Sequence, residues 1–303
     1  MQDNYYQLRI NQAIRYLNEH LTEEVSVEQL AKAAHFSTFH FQRIYKYLQG
    51  ESPYETLIRL RLERAASILK YNNADSIAFI ARACGFASPE HFSRQFKDRY
   101  GVTPSSLRNE PELLNSRMYQ EKFQSPYYPR GDEKIETENW NFEVVIEELD
   151  DIPVYLIRAI FGKDGSILVQ RYTELIEWAE SQGVPYQGPM TRFGMSIDSM
   201  DITPAPLYRY DYAITASANA SLTGLIEKSS IPGGLYATVH CQGDLSKVAA
   251  AWSYLYQDWL PLSGYVPRHH PALEEFLQGP EDIGWTQFNL NCRIPISKLE
   301  KET

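Results

Sequence analysis

The sequence predicts an all-α domain built from two helix-turn-helix units, followed by an α+β domain. Three observations predict this. Residues 37–53 repeat at 88–104 within a stretch of helical spacing. From residue 142 onward, apolar residues alternate with polar ones, the period of a half-buried strand. Charge and tryptophan divide the same way: residues 1–108 hold 14 Lys+Arg and 11 Asp+Glu, a net of +3, while 109–303 hold 15 and 28, a net of −13, together with all five tryptophans. Such asymmetry assigns different partners to the two halves. The expected layout is a helical domain at 1–108, a linker at 109–140 that is rich in Glu and Pro, and an α+β domain at 141–303.

The gross numbers exclude several classes. At 303 residues the chain is long enough for two cores. Cys84, Cys241 and Cys292 are far apart and form no CxxC pair, which argues against a disulfide framework or a zinc site and for a reducing cytoplasm. The first residues carry no apolar signal core, and no apolar run reaches about 18 residues, so neither a signal peptide nor a membrane span is expected. There is no GxSxG, Cys/His pair or metal cluster, so no catalytic residue, cofactor or metal is expected.

The helices follow in order. Ile10, Ala13, Ile14, Leu17 and Leu21 space a first helix between Tyr5 and Leu21. Ser26 and Gln29 form a capping box for a short second helix with Leu30, Ala31 and Ala34 on its apolar face. Ser37 caps the next helix, and two short helices across a tight turn make a helix-turn-helix. Ser52, Pro53 and Glu55 open a long helix that runs to about Lys70 and ends at Asn72-Asn73.

The repeat then supplies a second unit. At an offset of 51, Ser37 meets Ser88, His40 meets His91, Phe41 meets Phe92 and Arg43 meets Arg94. Lys46 meets Lys97, Gly50 meets Gly101 and Pro53 meets Pro104, with Tyr45 beside Phe96. The second helix of such a unit enters the DNA major groove and reads base edges from its N-terminal turns. Phe36, Phe41, Ile44 and Leu48 fall on the core face of the first copy, and Phe39, Gln42, Arg43 and Lys46 on the outer one. In the second copy Phe92, Phe96 and Tyr100 are core, and Glu90, His91, Arg94 and Lys97 face out. Gln suits adenine, Arg suits guanine, and a thymine methyl accounts for an exposed Phe39. The alternative for each charged side chain is an ordinary solvated helix face.

These residues resemble the AraC/XylS family of regulators. The second copy, AFIARACGFASPEHFSRQFKDRYGVTPSSLR, holds that family's pattern nearly whole, and the first copy matches its degenerate unit. The resemblance covers about residues 5–108. It implies seven helices, two recognition helices in successive major grooves of double-stranded DNA, and base contacts at Phe39, Gln42, Arg43, Glu90, His91 and Arg94. A regulator of this kind would also meet RNA polymerase.

In the second half, strands are expected at 142–146, 154–160, 190–197, 207–216, 224–228, 234–242 and 285–294, with helices at 166–181 and 244–259. Asp198, Asp201 and the acidic residues of 147–151 are expected to be solvated. The ordered set Leu207–Asp211, Ile231–Ala237, Asp258–Tyr265, Pro271–Phe276 and Arg293–Ile296 resembles the GyrI-like effector-binding domain. That resemblance implies a pseudo-symmetric antiparallel sheet with two helices, around an aromatic pocket that holds a glutamate, here Glu274. A carboxylate among rings favours a small lipophilic cation through Coulomb attraction and cation–π contact. The candidate walls are Phe161, Tyr210, Trp252, Phe276 and Trp285, each of which would otherwise be plain core. Two other readings compete: a small hydrolase using Glu274 and Tyr210 as acid and base, and a module that binds only a partner protein.

Overall fold

The computed structural model describes residues 2–71, 75–111, 113, 141–161, 165–198, 203, 207–268 and 270–298. The chain forms two compact units, one holding residues 1–120 and one holding most of the remainder. Asn72-Asn73, Asp201 and nearly all of the expected linker lie outside the described residues.

The first unit has seven helices among the described residues: α1 (Gln2–Glu19), α2 (Val27–Ala33), α3 (Thr38–Gln49), α4 (Pro53–Tyr71), α5 (Ile77–Ala83), α6 (Pro89–Tyr100) and α7 (Pro104–Asn109). The caps read from the sequence are present. Ser26 and Gln29 exchange hydrogen bonds at the start of α2, and Ser52 and Glu55 do so at α4. Ser37 and Ser88 accept the amides of His40 and His91, and Gly50 and Gly101 close α3 and α6 at φ 71° and 69°.

Two separate apolar cores result. One gathers Ile10, Ile14, Leu17, Phe41 and Tyr45, and the other Phe92, Phe96, Tyr100 and Leu107. Helix α4 supplies both: Leu57 and Leu60 to the first, Ile58, Leu62, Ala65 and Leu69 to the second. Arg61 of α4 donates to the carbonyls of Leu21 and Glu23, with Gly85 seated against its guanidinium.

The second unit contains β1 (Val144–Leu149), β2 (Ile152–Ile160), α8 (Ser166–Gln182), β3 (Arg192–Ser196), β4 (Arg209–Thr215), β5 (Glu227–Ile231) and β6 (Gly234–Gly243). There follow α9 (Leu245–Ser253), a π-helical turn at Tyr254–Trp259, a 3-10 turn at Leu260–Leu262, β7 (Tyr265–Pro267), β8 (Ala272–Gln278), α10 (Pro280–Ile283) and β9 (Phe288–Lys298). All pairings are antiparallel, in the order β1-β6-β9-β8-β3-β4-β2-β5, with β7 on β9. Exchanging β1 with β5, β2 with β6, β3 with β8 and β4 with β9 reads this order backwards, so the sheet is pseudo-two-fold about its central β3–β8 pair. Each half lends its first strand to the other half.

Side chains alternate across the sheet. One face packs Ile157, Tyr210, Tyr212, Val239, Phe276 and Cys292 against α8 and α9. The other face carries a second apolar cluster of Leu156, Phe193, Met195, Tyr236 and Leu273. It also carries buried ion pairs. Arg158 grips Asp211 through two bonds of 2.7 and 2.6 Å, and Arg209 grips Asp198 at 2.8 and 2.5 Å. Arg293 holds both Glu275, at 2.6 Å, and Glu147. Asp198 is therefore not solvated as expected, because burial of Arg209 requires a counter-ion. Glu147 is likewise paired. The sequence reading also lacked β8, whose Ala-Leu-Glu-Glu-Phe stretch shows no clean alternation because charges on both of its faces are buried or half-buried.

Candidate functional site

Two sites emerge, one in each unit. In the helical unit, α3 exposes Phe39, Gln42, Arg43 and Lys46, and α6 exposes Glu90, Arg94 and Lys97. Phe39 keeps 72% of its surface free, and the Arg43 guanidinium lies 5.8 Å from the centre of its ring. His91 is half-buried, with its ring 6.2 Å from Phe86, so it faces outward less than expected. Ser88 donates to the Glu90 carboxylate at 2.5 Å, which holds that carboxyl below its usual range. Tyr47 was not anticipated. It is 81% exposed and continues the outer face of α3 four residues after Arg43. That spacing was the available signal.

In the sheet unit, Glu274 of β8 lies on the helix-covered face. Its carboxylate accepts the Tyr210 hydroxyl and, at 3.0 Å, the Trp252 indole N–H. Burial holds its pKa above the ordinary carboxylate value, and the two donors offset this only in part. Among the described residues no Lys, Arg or His pairs with it. Its charge also adds to burial in pushing up the thiols of Cys241 and Cys292. The neighbouring Glu275 points to the other face. There burial is outweighed by Arg293, Asn291 and the Met190 amide, and its pKa falls below the usual range.

Tyr210 and Trp252 touch Glu274, and further rings connect to Tyr210. Tyr210 lies 4.9 Å from Tyr212, which meets Tyr172 at 5.2 Å and Phe276 at 6.4 Å. Trp285 stands edge-on to Tyr172 at 5.4 Å. Four of the expected walls, Tyr210, Trp252, Phe276 and Trp285, thus belong to one connected set with Glu274. Phe161 is buried against Tyr208 at 6.1 Å, under Gly165. Tyr172 and Tyr212 were missed, although Tyr208, Tyr210 and Tyr212 recur at the strand period and Tyr172 at the helical one.

Gly194 was also missed. It sits opposite Glu274 across the β3–β8 pair, and a Cβ there would lie 1.7 Å from the Tyr210 hydroxyl. Only glycine lets that ring reach the carboxylate. Tyr172 closes the set at its edge, donating at 2.7 Å to Glu281, which also pairs with Arg192.

Fold and site together define a helix-turn-helix domain joined to a sheet domain with a buried acidic, aromatic centre. The comparisons agree. Residues 142–296 match the GyrI-like small molecule binding domain and residues 30–110 match a helix-turn-helix domain of the AraC type. The chain belongs to the GyrI-like small molecule binding family, with an AraC-type helix-turn-helix domain preceding that region. The HTH-type transcriptional activator RhaS of Escherichia fergusonii is 37% identical over 100 residues, 33% of this chain and 36% of that protein. The MmsAB operon regulatory protein of Pseudomonas aeruginosa is 33% identical over 93 residues, 31% of this chain and 30% of that protein. The chain thus spans about a third of the length of these curated relatives. The DNA-binding domain of AdpA, solved in complex with a target DNA, is similar at 29% identity and a TM-score of 0.33, covering 36% of this chain and 96% of that one. The C-terminal domain of EcmrR is similar at 17% identity and a TM-score of 0.44, covering 52% and 99%. No helix of the described residues is long and apolar enough to cross a membrane.

Proposed function

We propose that the protein is a transcription regulator: residues 1–108 bind double-stranded DNA, 109–140 link, and 141–303 sense a small lipophilic cation. One observation carries the DNA reading. Two helices, capped and terminated alike in a duplicated unit, each expose an arginine followed three residues later by a lysine: Arg43 and Lys46, Arg94 and Lys97. On this reading Phe39, Gln42, Arg43, Glu90, His91 and Arg94 meet base edges. Lys46 and Lys97 meet phosphate, along with the helix N-termini. Regulation would act on RNA polymerase, in the cytoplasm, where the three buried thiols stay reduced.

The ligand class follows from Glu274. A buried carboxylate with two neutral donors and, among the described residues, no protein cation is an incomplete charge pair, and aromatic faces supply the rest of a cation's surroundings. Phe161, Tyr210, Trp252, Phe276 and Trp285 would line it. Among the described residues no nucleophile and oxyanion donors accompany Glu274 and Tyr210, and the pair is assigned to binding on its aromatic surroundings.

Selection of duplexes from a random DNA pool by the full chain tests the first half. Arg43→Ala and Arg94→Ala should each cost about 1–3 kcal/mol on the selected duplex. Unchanged binding for both removes the assignment. Titration with tetraphenylphosphonium, read by tryptophan fluorescence, tests the second half. Saturable quenching that Glu274→Gln abolishes is expected; equal quenching in both proteins refutes it.

A further inference from the structure

The two apolar cores of the helical unit are joined by a polar seam. On α3 the Tyr45 hydroxyl donates to Thr56 at 2.9 Å, and Thr56 donates to Glu51 at 2.8 Å. Arg59 of α4 holds Glu51 at 2.7 Å with one nitrogen and Glu63, one turn on, at 3.2 Å with another. Arg99 of α6 approaches Glu63 at 3.5 Å. The side chains of Arg59 and Glu63 are only 4% and 5% exposed. The phenol of Tyr100, also on α6, is buried beside Glu63, and burial together with that charge raises its pKa. A chain of polar contacts thus runs from one exposed-arginine helix to the other through the inner face of α4.

The duplication shows that this chain belongs to the joint and not to the unit. At the offset of 51, Glu51 is replaced by Val102, Thr56 by Leu107 and Arg59 by Glu110. A device needed merely to fold a helix-turn-helix would appear twice. The physics suggests what it is for. Apolar burial is non-directional and tolerates sliding of one core over another. Buried ion pairs add little net stability over apolar packing, but they are satisfied in one geometry, and fixing register is their best-attested use.

We infer that Arg59 and Glu63 are positioning residues that set the separation and angle of α3 and α6. They thereby set the spacing of the two DNA segments that the protein reads. The second statement rests on the DNA-binding reading above; the first does not.

The test uses the full chain in two arms. For the first arm, Tyr47→Cys on α3 and Asp98→Cys on α6 place spin labels at exposed sites, and the native thiols are buried. The label-to-label distance distribution is expected to be narrow with Arg59 and Glu63 intact, and broadened or shifted in Glu63→Gln. For the second arm, the duplex selected from the random pool is compared with the same duplex carrying one base pair inserted between its two contacted segments. The wild-type preference for the original spacing should shrink about tenfold in Glu63→Gln, within the range of coupling between contacting groups. Binding to either segment alone should not change. If Glu63→Gln does not fold, Arg59→Met with Glu63→Met replaces it, because apolar replacement of a whole buried pair is tolerated.

An unchanged distance distribution overturns the inference. So does a broadened distribution with an unchanged spacing preference. If no duplex is selected at all, the DNA reading fails, and the label distances still decide whether the pair positions the helices.

Discussion

Replacing Gly194 with alanine should cost the sheet unit about 2.5–6 kcal/mol, and the components can be assigned. The new Cβ would stand 1.7 Å from the Tyr210 hydroxyl, 2.5 Å from Cζ and 3.0 Å from Cε1. Carbon contact needs about 3.5 Å, so the phenol must move by about 2 Å. Tyr210 is buried and packed against Tyr212, so the motion disturbs the core at about 1–3 kcal/mol. It also withdraws the hydroxyl from Glu274, and a hydrogen bond to a charged group is worth about 1.5–3 kcal/mol.

The assay is urea unfolding of the full chain at neutral pH, followed by tryptophan fluorescence. Trp178, Trp252, Trp259 and Trp285 lie in the sheet unit and no tryptophan lies in residues 1–108, so the signal reports the sheet unit rather than the helical one. Tyr210→Phe closes a double-mutant cycle. Removing the hydroxyl relieves the 1.7 Å contact but not the one at 2.5 Å, so the double variant should cost less than the sum of the singles by at least about 1 kcal/mol. Strict additivity, or a Gly194→Ala protein within about 0.5 kcal/mol of wild type, refutes the packing argument.

Three further outcomes are expected. Glu274 is held above its unfolded pKa, so its folded form binds the extra proton, and the stability of the wild type falls as pH rises through that window. Glu274→Gln should therefore raise Tm at neutral pH with little effect in acid, as a Tm series from pH 4 to 8 would show. Glu275 is held below its unfolded pKa, so its contribution is present at neutral pH and is lost as pH falls through the folded value. Glu275→Gln should lower Tm at neutral pH, with the difference closing in acid. Lys46→Ala and Lys97→Ala should each reduce the slope of log affinity against log salt by about 0.9, measured on the selected duplex, whereas Phe39→Ala should leave that slope unchanged and weaken discrimination for thymine.

The helical unit was legible because its signals are local. Ser26, Ser37, Ser52 and Ser88 cap where they stand, and Gly50 and Gly101 terminate where they stand, so sequence order alone places α2, α3, α4 and α6. The sheet unit was less so, for reasons that its residues make plain. Strand β8 is covered on both faces, so Glu274 and Glu275 destroy the alternation that marks a half-buried strand. Asp198 looked solvated because nothing local announces Arg209, eleven residues away, as its partner. Gly194 carried no signal at all, since its role depends on a ring from the next strand. The glutamate itself was found by resemblance, and the geometry then supplied what the resemblance could not: the two donors and the absence of a protein cation among the described residues.

Both units are duplicated, and in both the chemistry sits where the copies differ. On α3 and α6 the repeat keeps the arginine and the lysine but sets Phe39 and Tyr47 on one outer face against Glu90 and Asp98 on the other. Equal faces would attract any duplex alike. On the proposed DNA reading, an apolar face and an acidic one would impose different demands on the two segments and give the complex a direction. In the sheet, a strictly symmetric centre would set two carboxylates face to face across β3 and β8, and like charges at that distance in a buried site resist ionisation. Glycine at 194 removes one of them and makes room for the Tyr210 ring, leaving a single carboxyl group among aromatic rings. On the proposed reading, a single carboxylate would suit a monocation, which the symmetric arrangement would not. The pseudo-two-fold frame therefore supplies the aromatic surroundings, and the Gly194–Glu274 difference supplies their polarity.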